Sequence, residues 1–213
     1  MTPDALNAAG MGSQASWITG QFAGATYMPN NMDVQHEPLY DTLWNPATGA
    51  PYAASAVIPN LAQFFTAPSA KTLAQTNVTN ARRLDAPEAF SVMGLRFRVG
   101  EDVLLADMIA MYNSFCLEFW IGQKSYNRAP LWFYCVGGGA TGFSNLSNQS
   151  ALTNGVPGRN AMHALQINIV IDNQASFFAQ LDGSPVTLTS AANGGTGANI
   201  MVLLDGLHAR GVQ

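Results

Sequence analysis

The stretch Leu165-Gln166-Ile167-Asn168-Ile169-Val170-Ile171 sets apolar side chains at every second position, and Leu95-Arg96-Phe97-Arg98-Val99 does the same. A period of two belongs to a strand that buries one face and wets the other. In Phe115-Cys116-Leu117-Glu118-Phe119-Trp120-Ile121 it puts Phe115, Leu117, Phe119 and Ile121 on one face and Cys116, Glu118 and Trp120 on the other. Residues 123–129 are polar enough for a turn, and Pro130 opens a returning strand over 131–136, which places Cys116 opposite Cys135. Further strands are predicted at 175–181, 186–189, 200–204 and 207–212, with Asp182-Gly183 and Asp205-Gly206 as hairpin turns. Residues 101–112 instead repeat apolar side chains at 104, 105, 108 and 112. This spacing predicts one short helix with Glu101 and Asp102 in its first turn, where the helix dipole favours negative charge. Seven or eight strands, one helix and no βαβ rhythm imply a mainly β domain over residues 86–213, a single jelly roll or β-sandwich.

Residues 1–85 read differently. Proline, alanine, asparagine and threonine are frequent there, no period emerges, and large apolar side chains are scattered. The expectation is an extended N-terminal arm without its own core, docking on neighbours through Trp17, Phe22, Tyr27 and Trp44 as candidate subunit-contact residues. Composition points the same way. Only 10% of the residues are charged, against about 25% in an ordinary soluble domain, while 48% are hydrophobic. Such a chain calls for lipid or for partner subunits. The uncharged stretch 42–70 is broken by Pro46, Pro51, Pro59 and Pro68, so it does not read as a membrane-spanning helix. Partner subunits are the better fit. No basic leader followed by an apolar run opens the chain, so assembly in the cytoplasm is expected. The net charge of −4 and the absence of a basic cluster argue against direct nucleic-acid contact.

Tests for chemistry return little. Gly137-Gly138-Gly139-Ala140-Thr141-Gly142 fits G-x-G-x-x-G, but the residues after it have no helical period and the next acid is Asp172. The dinucleotide fingerprint needs both a helix and an acid about 20 residues on, so 137–160 reads as a loop. His36, His163 and His208 are far apart and in no metal-ligand spacing. The nucleophile elbow G-x-S-x-G is absent, and Glu118 is the only acid within a predicted strand. Asn77, Asn145 and Asn148 match the glycosylation pattern as chance allows in a chain rich in Asn, Ser and Thr. The sequence therefore assigns no catalytic, cofactor-binding or metal-binding residue, and the expectation is not an enzyme. The two cysteines are expected to be reduced, behaving as small buried hydrophobes.

The sheet motif over 115–122, the paired strands over 165–181 and the ending Val202-Leu203-Leu204-Asp205-Gly206-Leu207-His208-Ala209-Arg210-Gly211-Val212-Gln213 resemble the jelly-roll coat proteins of icosahedral viruses, particularly tailless or small bacteriophages. The resemblance implies a capsid protomer that self-assembles into an icosahedral shell in the host cytoplasm and resides in the virion. Its partners would be copies of itself and other virion proteins, with contact to an internal membrane left open. It also implies an N-terminal arm reaching beneath or between neighbours. The basic arm that many coat proteins lay on packaged nucleic acid is missing here. The alternative is a carbohydrate-binding β-sandwich, lectin-like or a receptor-binding spike domain, in which Trp120, Tyr126, Trp132 and Tyr134 would stack on sugar rings.

Overall fold

In a computed structural model of the chain, the described residues are 22, 32–100, 103–135, 141–143, 151–153, 164–189 and 198–211. They form a mainly β structure of antiparallel sheets with one α-helix. The longest strand, β13 (Ile200–Gly211), lies against β5 (Ala89–Val99) over nearly its whole length. Its other edge is shared, since β2 (Leu39–Thr42) pairs with residues 201–204 and β1 (Met32–His36) with residues 207–211. β10 (Ala164–Ile171) lines the far side of β5. A second sheet runs in the order β4 (Leu61–Gln63), β11 (Phe177–Gly183), β6 (Phe115–Ile121) and β7 (Lys124–Pro130). Two small pairs complete the set, β3 (Val57–Ile58) with β12 (Val186–Thr187) and β8 (Thr141–Phe143) with β9 (Ala151–Thr153).

In β5, β6, β11 and β13 the inward face is the one the alternation marks, whereas in β10 Ile169 and Ile171 are buried but Ile167, on the face expected to be buried, is exposed. Leu95, Phe97 and Val99 of β5, Val202 and Leu204 of β13, Leu117 and Phe119 of β6, and Ala179 and Leu181 of β11 are all buried and join one hydrophobic cluster. Both sheets share that core, consistent with a β-sandwich, and each large side chain in it contributes about 1.5–3 kcal/mol. Arg96 and Arg98 point outward, as their alternation with the core residues requires.

Several expectations are corrected. Residues 32–84 are not an arm outside the sandwich. They supply β1 and β2 to one sheet and β4 to the other, and Leu39, Leu43, Tyr52, Ile58, Phe64, Phe65, Val78 and Leu84 lie in the common core. Their strands are too short for a period to emerge. The helix, α1, spans Leu105–Ser114, so its first-turn acid is Asp107, while Glu101 and Asp102 lie outside the described residues. Asp107 accepts hydrogen bonds from the Thr189 backbone N–H at 3.0 Å and its hydroxyl at 2.6 Å, tying the helix to the chain after β12.

The hairpin after β6 turns at Gly122 and Gln123, and residues 124–129, expected as the turn, form β7 together with Pro130. Gly122 has a φ of 59°, which suits glycine in a tight turn. The expected returning strand is a 3-10 turn at Leu131–Tyr134. Asp205-Gly206 is not a hairpin turn either: β13 continues through it and shifts register against β5 at that point. A Cβ on Gly206 would lie 2.0 Å from the Ser91 carbonyl oxygen, so the close approach of the two strands requires glycine there. Within 137–160, β8 and β9 are short paired strands where a loop was expected, and the rest lies outside the described residues.

Candidate functional site

The four candidate contact residues fall in different settings. Trp17 and Tyr27 lie outside the described residues. Phe22 is 2% exposed and packs within its own chain, against Ala89, Leu207 and Ala209, with Met32, Val34 and Met93 around it. This second small cluster sits on the outer face of the five-stranded sheet, apart from the main core. Trp44 is half-buried, and the Lys71 ammonium stands 5.6 Å from its ring.

Lys71 leads to a feature that the sequence did not announce. Its Nζ donates to both carboxylate oxygens of Asp41 and to the Thr42 carbonyl, each at 2.7 Å, and Asp41 also accepts the Phe65 N–H at 2.5 Å. The two side chains are 1% and 0% exposed. Burial pushes the Asp41 carboxyl above its ordinary range and the Lys71 amine below its own, and each charge partly offsets the shift of the other. The pair pins the segment after β4 to β2. One lysine in an otherwise uncharged run was its only trace in the sequence.

The outer face of the four-stranded sheet gathers more polar and aromatic groups. Gln63, Gln180, Glu118 and Arg128 stand side by side on four neighbouring strands, because the register pairs Gln63 with Gln180, Gln180 with Glu118 and Glu118 with Arg128. Glu118 is buried and accepts from Arg128 Nε, Gln180 Nε2 and Trp120 Nε1, each at 2.8 Å. Arg128 also reaches Asp182 at 3.3 Å. In the next row Trp120 stacks on Phe178 with ring centroids 6.1 Å apart and planes within 3° of parallel, and Arg82 lies over Phe178 at 5.1 Å. Glu118, the one acid weighed for catalysis, is held by three donors within this lattice. The face is internally hydrogen-bonded. Of the four aromatics weighed as sugar platforms, Trp120 belongs to this stack and Tyr126 is 45% exposed beside Lys124. Trp132 is 59% exposed on the 3-10 turn, and Tyr134 is buried, bonded to Asn127 and the Leu117 carbonyl.

One end of the five-stranded sheet holds a cleft of about 290 Å³. His208 is buried there with Nδ1 2.5 Å from Glu37 and Nε2 3.3 Å from Glu88, and its ring meets Phe90 edge-on. Arg210 approaches Glu37 at 3.6 Å and donates to Gln35 at 2.6 Å. The cluster links the chain between β1 and β2, the start of β5 and the end of β13. Among the described residues no group of three or more His, Cys, Asp or Glu side chains is placed to hold a metal ion.

Cys116 and Cys135 are both free. The register sets Cys116 opposite Pro130, not Cys135, because the hairpin turns at Gly122 and Gln123, earlier in the chain than expected. Cys135 instead bonds the Tyr112 hydroxyl at 3.1 Å, and burial raises the pKa of both groups. No helix among the described residues is long and apolar enough to cross a membrane. The chain matches no protein-family model, no curated protein and no solved structure.

Proposed function

We propose that the fold is an eight-stranded jelly roll and that the protein is a capsid protomer, acting through its surfaces rather than by catalysis. The strand order carries this reading. Counting β1 and β2 as the first strand and β4, β5, β6, β7, β10, β11 and β13 as the second to eighth, one sheet runs 1-8-3-6 and the other 2-7-4-5. Only the fourth and fifth strands are joined within one sheet; every other connection crosses over. That is the winding of two interlocked Greek keys, used by viral capsid and lectin domains and by cupins.

Fold alone does not select among these functions. The low charge of the chain does favour one of them, because a protomer in a shell hides much of its surface in large interfaces with apolar centres. The resemblance of residues 115–122, 165–181 and 202–213 to phage coat proteins supports the same choice. Copies of the chain and other virion proteins are then its partners, and the virion its location. Electron microscopy and light scattering of the purified full-length protein test it. Closed shells or their trimeric or pentameric parts are expected. A monodisperse 22.6 kDa species that binds glycans in titration would replace the shell reading with the lectin one.

A further inference from the structure

Lys71 is the first basic residue of the chain and one of only two lysines. Its side chain and that of Asp41 are 1% and 0% exposed, so the pair is closed to water. Nζ is held at 2.7 Å from each carboxylate oxygen, against the carbon that bears them both, and at 2.7 Å from the Thr42 carbonyl. The Phe65 N–H and the Thr76 hydroxyl donate to the same carboxylate, and the Trp44 ring stands over the amine. Burial favours the uncharged form of each partner, raising the Asp41 carboxyl and lowering the Lys71 amine. A fixed amine, a carboxyl group drawn toward its neutral acid, donors already aimed at its oxygens and the exclusion of water are the conditions for amide formation between two side chains.

We propose that Lys71 and Asp41 condense into an isopeptide bond, a covalent cross-link between β2 and the segment after β4. The ion pair is the reactant. Transfer of one proton from the ammonium to the carboxylate leaves Lys71 as a free amine and Asp41 as a carboxylic acid. Nζ then attacks Cγ: the N–C bond forms, the C–OH bond breaks, and the hydroxyl leaves as water with one proton from the nitrogen. The amide keeps the other N–H, for which the Thr42 carbonyl is the acceptor in place. While Cγ is tetrahedral, the Phe65 N–H donates to the oxygen that stays behind. No oxidant, reductant or cofactor enters the balance. The direction of the change follows from burial, because two charges inside the sandwich carry a desolvation cost that a neutral amide avoids, and the water needed for the reverse step is kept out. The bond ties residues thirty apart in the chain and links the two sheets, since β2 belongs to one and β4 to the other. The inference stands apart from the shell reading, because both side chains lie within one chain.

Mass spectrometry of the full-length protein tests it. After folding and storage at neutral pH, the denatured chain should weigh less than its sequence by one water. Chymotrypsin should release a branched peptide that joins the segment of Asp41 to that of Lys71, and trypsin should leave the chain uncut after Lys71. Lys71→Arg keeps the positive charge without a nucleophilic amine and should retain its full mass. A wild-type chain that stays at full mass overturns the bond. So does a loss of water that persists in Lys71→Arg, which assigns it to another site, such as Asp182 or Asp205, each followed by glycine. If the arginine variant misfolds, the branched peptide of the wild type decides alone, and its absence from a digest that covers both segments overturns the bond.

Discussion

Lys71 and Asp41 show how much one residue can hold. A buried ion pair is a weak net stabiliser, yet removing one partner strands the other charge without water, at about 3–5 kcal/mol. Lys71→Met should therefore lose about that much in urea unfolding at pH 7. Because burial raises the Asp41 carboxyl in the fold above its unfolded value, its contribution is fully favourable in acid and is lost as pH rises through the raised value. With Lys71 gone only the hydrogen bonds from the Phe65 N–H and Thr76 counter that shift, so the deficit of Lys71→Met should shrink as pH falls from 7 toward 5. A deficit that grows in acid would mean that Asp41 is solvated in the variant. Two glycines separate two kinds of cost. Gly122→Ala meets only the strain of a positive φ, with nothing within 4 Å of the new Cβ, and should cost about 1 kcal/mol. Gly206→Ala drives a methyl group into the Ser91 carbonyl and should cost more, about 1–3 kcal/mol, in the same thermal melts.

At the scale of elements, the decisive strands are the short early ones. β2 pairs with β13, and β4 with β11, so a chain starting at residue 86 lacks strands from both sheets and many of the core side chains. It should fail to fold, with no cooperative thermal transition. Deleting residues 1–30 is different in kind. It removes Phe22 and uncovers Leu207 and Ala209, but leaves every described strand and the main core in place. That variant should keep its β spectrum and a cooperative transition, with a loss on the scale of one buried aromatic, about 3–5 kcal/mol. A cooperative 86–213 fragment, or a 1–30 deletion that unfolds outright, would contradict this division of labour.

For the whole molecule, scarcity of charge and a hydrogen-bonded outer face act together. The outer face of the four-stranded sheet is cross-linked by the Glu118, Arg128 and Gln180 lattice and the Trp120–Phe178 stack, so in the proposed protomer docking through this face would cost little side-chain freedom. With a net charge of −4 and basic residues clustered nowhere beyond Arg82-Arg83 and the pair Arg96 and Arg98, assembly should not require nucleic acid. Protein treated with nuclease and freed of bound polynucleotide is expected to form the same particles, judged by light scattering and electron microscopy. Particles that appear only when RNA or DNA is added would reverse that view of its surface.

Sequence alone determined the strands whose pattern is local. β5 and β6 alternate strongly enough that their buried faces were legible, β10 only over Ile169 and Ile171, and α1 was legible apart from its start. What depends on partners far along the chain was not legible. β1, β2 and β4 are too short to carry a period, and they are strands because β13 and β11 offer them edges. Asp205-Gly206 has the composition of a turn, yet it lies inside β13 because β5 runs opposite it and leaves room for a glycine and nothing larger. The aromatic segment 131–134 reads as a strand but coils into a 3-10 turn once β7 has taken the place beside β6. Lys71 and Asp41, thirty residues apart, meet only when β2 is seated, and the same is true of His208 with Glu37 and Glu88. Local periodicity reports which face of an element is apolar. Which edges meet, and which charges are carried inside with them, is settled by long-range pairing, where the free energy of a contact depends on the whole core being in place.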